Sequence, residues 1–483
     1  MRSYHPCDTV RAAEAPLLAS LPEGTLMRRA AHGLARVTAE ELRARTGGIA
    51  GRRVTLLVGS GDNGGDALWA GAFLRRRGVA VTALLLNPDR AHPAGLRALT
   101  KAGGRVLRAA PEHVGDPDLV LDGIVGISGR GPLRPAAAAV VDEITAPIVA
   151  VDTPSGVDPD TGAVDGPAVT AAVTVTFGAY KPVHVLAPAR CGRVELVDIG
   201  LTLPEARLAA AEPSEIGAIW PVPGAEDDKY SQGVVGIRAG SARYPGAGVL
   251  CTGAAVAATS GMVRYVGTGA AEVLARFPEV VASTTVAETG RVQAWVVGPG
   301  AGTDDEAVAT LRGILATDLP VLVDADGLTL LARDPGLVRG RSAPTLLTPH
   351  AGEFARLTGN RPEPDRVAAA RELAADWDVH VLLKGRATLV ARPDGHVFVN
   401  DAGGSWASTA GAGDLLSGIV GALMSSGMPV DLAAAAGARA HALAANLAAR
   451  DPEAPGAAPV SASGILARIG DAIRLLRTHI AES

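Results

Sequence analysis

Short hydrophobic runs that end in glycine-rich or acidic loops recur along this chain and alternate with amphipathic segments. In the first half, such runs occupy 54–58, 79–86, 119–122, 148–152, 173–177 and 194–197. Strands that alternate with helices predict a parallel sheet covered by helices on both faces. The segment 26–42 has helical spacing and is expected to pack on that sheet.

A second series of the same kind follows, and it is not a copy of the first. Its strand candidates are 233–240, 293–297, 321–324 and 379–383, with a predicted hairpin of 388–391 and 396–399 around Arg-Pro-Asp-Gly. Its predicted helices are 413–424, 432–449 and 465–479. The 483 residues exceed the roughly 100–200 of a single domain, so two different α/β domains are expected.

The stretch between the two series, 203–228, is irregular and contains prolines and an acidic cluster. It is the best candidate for a linker. We therefore assign a first domain to 1–212, a linker to 213–228 and a second domain to 229–483.

Composition limits the function classes. The chain is 48% hydrophobic, which excludes a mainly disordered protein, and its net charge of −5 with 3% aromatic residues argues against a nucleic-acid partner. The uncharged segment 244–263 contains Pro245 and four glycines, which favours a buried helix over a membrane span. Cys7, Cys191 and Cys251 lie far apart without a CxxC motif. We therefore expect a reducing cytoplasm. Arg2, Arg11 and Glu14 surround only a short apolar patch, so we expect no signal peptide, and we expect no membrane partner.

Three strand ends in the first half carry candidate ligand-binding residues. The sequence GSGDNGGD, 59–66, follows a strand and opens a helix, where glycines let the backbone approach a phosphate. Its spacing is that of neither a P-loop nor GxGxxG. By itself it favours a glycine-rich turn in which Asp66 caps a helix that begins near that residue. Asp122 and Asp152 end two further strands. In a parallel sheet all three ends share one edge, which favours a polar binding site.

The second half has a comparable group. TAGAGD, 409–414, precedes an apolar helix whose first amides could hold an anion while Asp414 faces a transferring group. The simpler interpretation is a helix start capped by Asp414. GPGAG at 298–302, His350 with Glu353, and Lys384 follow other strand candidates and strengthen the prediction of a nucleotide site.

DNGGD, DGIVG and DTPSG, followed by FGAYKP and CGRVELVDIGL, resemble the YjeF N-terminal domain, the NAD(P)H-hydrate epimerase family, over nearly all of residues 1–210. The family usually has NNGGDG, whereas this chain has Asp62 and Ala67 at the first and last of these positions. The resemblance implies a Rossmann-like three-layer fold with a parallel sheet. It implies that the hydrated dinucleotide is bound by Asp62, Asn63, Gly64, Gly65, Asp66, Gly126, Ile127, Ser128, Gly129, Arg130, Gly131 and Pro132. It also implies a potassium ion on Asn63, Asp122 and Ser155, with Asp152 facing the hydrated ring as the candidate acid/base.

TPHAGE, LLKGRAT and AGAGD, after DDKYSQGVVGIRAGSARYPGA, resemble the YjeF C-terminal domain over about residues 225–480. That is the ADP-dependent NAD(P)H-hydrate dehydratase family, which has a ribokinase-like α/β fold. The resemblance implies that ADP or AMP is held by Lys384, Gly385, Arg386, Ala387, Thr388 and Gly413. It implies hydrate contacts from Ala247, Gly300, Gly302, His350 and Asp414, with Asp414 also catalytic.

The two domains in one chain resemble the bifunctional nicotinamide-nucleotide repair enzymes. That resemblance implies interconversion of the R and S forms of NADHX or NADPHX, and dehydration of the S form with ADP to give AMP and phosphate. Magnesium would bridge the phosphates, and we expect a homo-oligomer. Two alternatives stay open: a ribokinase-like small-molecule kinase with a nucleotide-binding N-terminal domain, and a nucleotide sensor or scaffold in place of the epimerase.

Overall fold

The computed structural model describes residues 1–450 and 456–478, and the chain divides into two compact units. One unit is Ser3–Arg207, and the other is Met1–Arg2 with Leu208–Ser483. The short strand Arg2–Tyr4 spans this division. The change of unit therefore comes slightly before residue 212, the predicted end of the first domain.

The first unit is a parallel sheet between two layers of helices. Its strands, in order across the sheet, are Arg105–Arg108, Ala80–Leu85, Arg53–Val58, Leu119–Gly123, Ile148–Val151, Val173–Phe177 and Arg193–Val197. Its helices are Cys7–Ser20, Thr25–Thr46, Asp62–Arg75, Pro93–Lys101, Pro135–Asp142, Val183–Leu186 and Pro188–Cys191, with single 3-10 turns at Pro88–Arg90 and Pro111–His113. Leu56 and Leu57 are adjacent in one strand yet buried in different apolar clusters, so both faces of the sheet are covered. The predicted three-layer fold is confirmed.

Strand order in this unit reverses beside Arg53–Val58, which pairs with Ala80–Leu85 on one side and Leu119–Gly123 on the other. Ligands of open parallel sheets bind in the crevice at such a reversal, beyond the carboxyl ends of the strands. The loops after Val58 and Gly123 flank that crevice.

The second unit is also built on a mostly parallel sheet. Its strands run in the order Leu208–Ala210, Val397–Asp401, Ala387–Ala391, His380–Leu383, Thr345–Leu347, Val321–Val323, Ala294–Val297, Val234–Arg238, Met262–Val266 and Val281–Ser283. Its helices are Pro213–Ile219, Pro245–Ala258, Ala270–Arg276, Asp305–Leu315, Asp326–Arg333, Ala351–Thr358, Arg366–Trp377, Ala412–Ser425, Val430–Ala449, Ala462–Leu466 and Ile469–Thr478, with a 3-10 turn at Pro335–Leu337. The strand Ala387–Ala391 is antiparallel to both of its neighbours, which confirms the predicted hairpin.

The uncharged segment predicted to be a buried helix forms Pro245–Ala258, which packs against Ala412–Ser425 in the core. Glycine allows the close approach, because a Cβ on Gly418 would lie 2.1 Å from the backbone oxygen of Cys251. Among the described residues, no helix combines the length and hydrophobicity that a bilayer crossing requires.

This helix contact gives a stability prediction. Gly418→Ala should lower the free energy of unfolding by about 1–3 kcal/mol, because the added methyl overpacks a backbone contact. Gly313→Ala is a matched control, since Gly313 lies in the helix Asp305–Leu315 and a Cβ there would meet no atom within 4 Å. The control should gain about 0.5–1 kcal/mol. Urea unfolding of both variants measures the difference, and equal midpoints would contradict the packing argument.

Two predictions from the sequence differ from the structure. The predicted linker contains the helix Pro213–Ile219, which places Ile216 and Trp220 in the core of the second unit. The last predicted helix is divided into Ala462–Leu466 and Ile469–Thr478, and residue 479 lies outside the described residues. In both cases burial of a few apolar residues decided the local structure.

Candidate active sites

Asp152 lies at the edge of the first unit's sheet, immediately after the strand Ile148–Val151. Its backbone has φ 66°, a left-handed conformation that is costly for a residue other than glycine and is found most often at functional sites. Its Oδ1 accepts hydrogen bonds from Lys181 Nζ at 2.5 Å, Thr176 Oγ1 at 2.8 Å and Phe177 N at 3.2 Å. This carboxylate is therefore held in one orientation by three donors.

Lys181 is the buried counter-ion of Asp152 and is only 1% exposed. Its ammonium also donates to Thr176 Oγ1 and to the carbonyl oxygen of Phe177, both at 3.0 Å. Beside it, His184 accepts from Lys181 N through Nδ1 at 3.0 Å, and its Nε2 lies 2.9 Å from the carbonyl oxygen of Asp152. Burial, then Lys181, lowers the pKa of His184 to about 4, so this ring is neutral and fixed in one tautomer.

Asp66 is a second buried carboxyl group of this site. The helix begins at Asp62, four residues earlier than the sequence predicted, so Asp66 is inside the helix and the capping interpretation was wrong. Gly64 makes the early start possible, because a Cβ there would lie 2.3 Å from the carbonyl oxygen of Gly59. Asp66 Oδ1 is buried without a hydrogen-bond partner. Burial, then Asp152, Asp62 and Glu14, raises the pKa of Asp66 well above its usual range.

The three residues implied as potassium ligands converge on the segment 124–126. Asp122 accepts from Ser155 Oγ at 2.7 Å and from Ser155 N at 2.8 Å, and Val125 N donates to Ser155 Oγ at 3.0 Å. The amide of Asn63 donates to the carbonyl oxygen of Val151 and, at 3.4 Å, to that of Val125. Burial raises the pKa of Asp122 to about 6. Amide, hydroxyl and carboxylate oxygens from three elements suit an alkali cation.

The remaining residues implied to bind the dinucleotide border this group. Gly126 lies against Asn63, since a Cβ on it would be 2.3 Å from Asn63 Oδ1. The loop then turns back, with Gly129 N donating to the carbonyl oxygen of Gly126 at 2.8 Å. Arg130 extends to Asp160 at 2.8 Å and Asp158 at 3.3 Å. Asp62 is exposed in the first turn of its helix.

In the second unit, the buried Asp324 connects two elements of the predicted nucleotide site. Its Oδ1 accepts from Lys384 Nζ at 2.7 Å, and its Oδ2 accepts from Ser417 Oγ at 2.8 Å. Glu353 Oε2 lies 3.5 Å from the same ammonium. Burial alone would lower the pKa of Lys384, but Asp324 and Glu353 outweigh it and raise the pKa, so the cation is retained.

Asp414 lies in the first turn of the helix Ala412–Ser425, whose leading amides have no acceptor within the helix. Burial, then Asp324, raises the pKa of Asp414 to about 7, although Lys384 opposes the shift. A Cβ on Gly413 would lie 3.6 Å from Lys384 Nζ, so the helix start and the lysine face each other. A group with a pKa of about 7, next to a cation and the amides of a helix start, suits general-base catalysis on an anionic substrate.

Of the residues implied to contact the hydrate, Gly300 and Gly302 follow the strand Ala294–Val297 and His350 follows Thr345–Leu347, whereas Ala247 lies in the first turn of the helix Pro245–Ala258. A Cβ on Gly300 would lie 2.8 Å from that of Ala247, and Gly302 N donates to Asp326 Oδ2 at 2.9 Å. His350 caps the helix Ala351–Thr358, because its Nδ1 accepts from Gly352 N at 2.9 Å and Glu353 N at 3.2 Å. Its exposed ring lines a cleft that also contains Lys384.

That cleft has a volume of about 440 Å³. It is lined by Lys384, Gly385, Arg386, Thr388 and Gly413, all implied to bind the nucleotide. Arg366 holds the segment 384–388 in place, because its guanidinium donates to the carbonyl oxygens of Ala387 at 2.9 Å and Lys384 at 3.1 Å.

Comparison with known proteins shows the family to which the chain belongs. Residues 23–183 match the family model described as YjeF-related protein N-terminus, and residues 235–468 match NAD(P)H-hydrate dehydratase. A Bifunctional NAD(P)H-hydrate repair enzyme Nnr from Mycobacterium tuberculosis (strain CDC 1551 / Oshkosh) is 64% identical over 90% of this chain and 92% of its own. One from Mycobacterium leprae (strain TN) is 59% identical over 99% of this chain and all of its own. The chain belongs to the bifunctional NAD(P)H-hydrate repair enzyme family.

The fold agrees with this membership. A solved ribokinase-like superfamily protein from Enterococcus faecalis V583 matches with a TM-score of 0.50 and 21% identity, covering 57% of this chain and 98% of its own. The predicted ribokinase-like fold is confirmed.

The sequence does not identify four residues that lie in or beside these candidate sites. Lys181 lies in FGAYKP and Asp324 ends a predicted strand, but neither pattern indicates what the side chain contacts. Arg366 and His441 carried no signal, because each acquires its place only when distant helices pack beside the nucleotide segment.

Proposed function

We propose that the second unit dehydrates (S)-NADHX or (S)-NADPHX using ADP, and that the first unit interconverts the S and R forms. The observation that supports this most strongly is the position of Asp414, whose pKa is near 7, across from Lys384 at a helix start. The cleft lined by Lys384, Gly385 and Thr388 would hold the nucleotide.

Dehydration needs a good leaving group, because the hydroxyl on carbon 6 of the hydrated ring departs poorly. In the proposed reaction Asp414 accepts the hydroxyl proton while the oxygen attacks the β-phosphorus of ADP, and the bond to the AMP oxygen breaks. The amides of the first turn at Gly413 and the ammonium of Lys384 stabilise the transferring charge. The ring nitrogen then expels phosphate, and loss of a ring proton restores the dihydropyridine.

The site chemistry fits the two implied cations. Magnesium would be held mainly by the phosphates of the nucleotide, whose negative charge it would neutralise. Among the described residues, no group of three or more His, Cys, Asp or Glu side chains could hold a metal. Potassium would be held by Asn63, Asp122 and Ser155, where it would offset the negative charge of Asp62 near a bound phosphate.

Epimerisation requires a bond from carbon 6 to its hydroxyl or to the ring nitrogen to break and form again on the opposite face. Either route moves protons. Asp152, fixed by Lys181, is the proposed acid/base, while Asp66 stays protonated and donates a hydrogen bond to the ligand.

Arg366 provides a test of the nucleotide segment. Arg366→Met removes both bonds to the carbonyl oxygens of Lys384 and Ala387, so the KM for ADP should rise about tenfold while kcat changes less than twofold. Arg371→Met, on the same helix, is the matched control, because Arg371 Nε instead donates to the carbonyl oxygen of Gly395. Steady-state kinetics with ADP varied would contradict the proposal if both variants gave the same KM.

The function itself is tested by incubating mixed NADHX epimers with ADP and magnesium. We expect recovery of absorbance at the NADH wavelength, with one AMP and one phosphate per NADH. A stable phosphorylated product would instead identify the small-molecule kinase. Consumption of the S form alone would leave the first unit as a nucleotide sensor or scaffold.

Cytoplasmic location and homo-oligomeric assembly remain predictions. The cysteines Cys7, Cys191 and Cys251 are buried and free, which is compatible with a reducing compartment.

A further inference from the structure

His441 is a buried polar residue of the second unit to which the proposed chemistry gives no role. It lies on the helix Val430–Ala449 and lines the same cleft as Lys384 and Gly413. The residue is 8% exposed, and its Nε2 is buried without a hydrogen-bond partner. A buried polar atom without a partner is costly, so a ligand group that completes the bond gains affinity.

The surroundings of His441 suit a nucleobase and not a phosphate. Ala438 and Ala442 lie on the same helix face, and Leu416 lines the cleft beside them. Burial lowers the pKa of His441 to about 4 and outweighs a hydrogen bond from the ring to the Ala412 backbone, which favours the charged form. The ring is therefore uncharged and does not attract an anion. The groups suited to phosphate are instead the ammonium of Lys384 and the amides of the helix start at Gly413.

We propose that His441 reads the adenine base of the nucleotide by accepting a hydrogen bond from the 6-amino group at the unpartnered Nε2, with the ring proton on Nδ1. This inference rests on the proposed use of ADP and adds the residue that determines base specificity. A site that hydrogen-bonds one ligand group rejects an analogue with the opposite donor and acceptor pattern, because its own polar atom is then left unpaired. Inosine diphosphate is that analogue, since a carbonyl replaces the 6-amino group and the neighbouring ring nitrogen becomes a donor.

The test is calorimetric titration of the full chain with ADP and with inosine diphosphate, without hydrate present. The wild type should bind ADP about tenfold more tightly than inosine diphosphate. His441→Leu, which keeps the apolar volume, should reduce this preference to less than about twofold. His441→Gln should keep most of the preference, because its amide places a polar atom near the position of Nε2. Asn446→Leu is a comparison on the same helix, where the amide instead donates to the carbonyl oxygens of Ala402 and Ala442.

The ratio of the dissociation constants for inosine diphosphate and ADP decides the test. If His441→Leu still favours ADP by tenfold, or weakens both nucleotides equally, base recognition by His441 is wrong while ADP binding stands. A wild type that binds neither nucleotide would overturn both this inference and the proposed use of ADP.

Discussion

Asp414→Asn should reduce ADP-dependent recovery of NADH by at least about 100-fold, because the amide cannot accept the hydroxyl proton. Epimer interconversion should continue at the wild-type rate, since Asp152 and Lys181 belong to the other unit. Absorbance reports dehydration and chiral chromatography reports the epimers in the same sample. Normal recovery of NADH by the variant would show that Asp414 is not the base.

The same substitution should not harm the fold. Burial raises the pKa of Asp414 to about 7, whereas the unfolded value is near 4. The folded state therefore holds this proton more tightly, and its stability falls as pH rises from about 4 to about 7. Asparagine is not ionised, so the variant does not lose this stability. Above pH 7 its free energy of unfolding should exceed that of the wild type by up to about 4 kcal/mol. Wild-type kcat/KM should decrease as pH falls through about 7, because the base must be ionised.

Asp152→Asn should have the opposite effect on the two activities. Epimerisation should fall by about 10²–10⁴-fold, while (S)-NADHX is still dehydrated, so the R form accumulates. The variant should also lose about 3–5 kcal/mol of stability, because Lys181 remains buried without its counter-ion. Chiral chromatography and thermal unfolding measure these two effects separately.

A double variant separates the chemical role of Asp152 from its structural role. Asp152→Asn with Lys181→Met replaces the buried ion pair by neutral groups, which should restore most of the lost stability. Epimerisation should stay at the level of the single variant. Recovery of epimerase activity together with stability would mean that Asp152 only supports the fold.

The sequence predicted the central strands of both sheets, because a strand covered on both faces is a hydrophobic run. It did not predict Arg105–Arg108, Met262–Val266 or Val281–Ser283, which lie at or next to the edges of the sheets. Arg53–Val58 and Val173–Phe177 were placed within a residue of their observed bounds. The helix start at Asp62 was missed because glycines in its first turn suggest a loop, whereas here they permit a close approach to Gly59.

The candidate sites were only partly predictable. Motifs identified Asp152 and Asp414, but the residues that set their electrostatics come from other elements. Lys181 reaches Asp152 from beyond the next strand, and Asp324 is 90 positions from Asp414 yet contributes to its raised pKa. Contacts between residues so far apart in the chain depend on the order of strands across a sheet, and a single sequence does not determine that order.

The most direct test of the proposed chemistry follows the oxygen of the hydroxyl on carbon 6. NADHX prepared in ¹⁸O-labelled water carries the label at that position, and it is turned over with ADP in ordinary water. If the hydroxyl attacks the β-phosphorus, the phosphate released with AMP contains one ¹⁸O atom, detectable by mass spectrometry. Unlabelled phosphate, with the label in the solvent, would contradict phosphoryl transfer to the hydroxyl at Asp414.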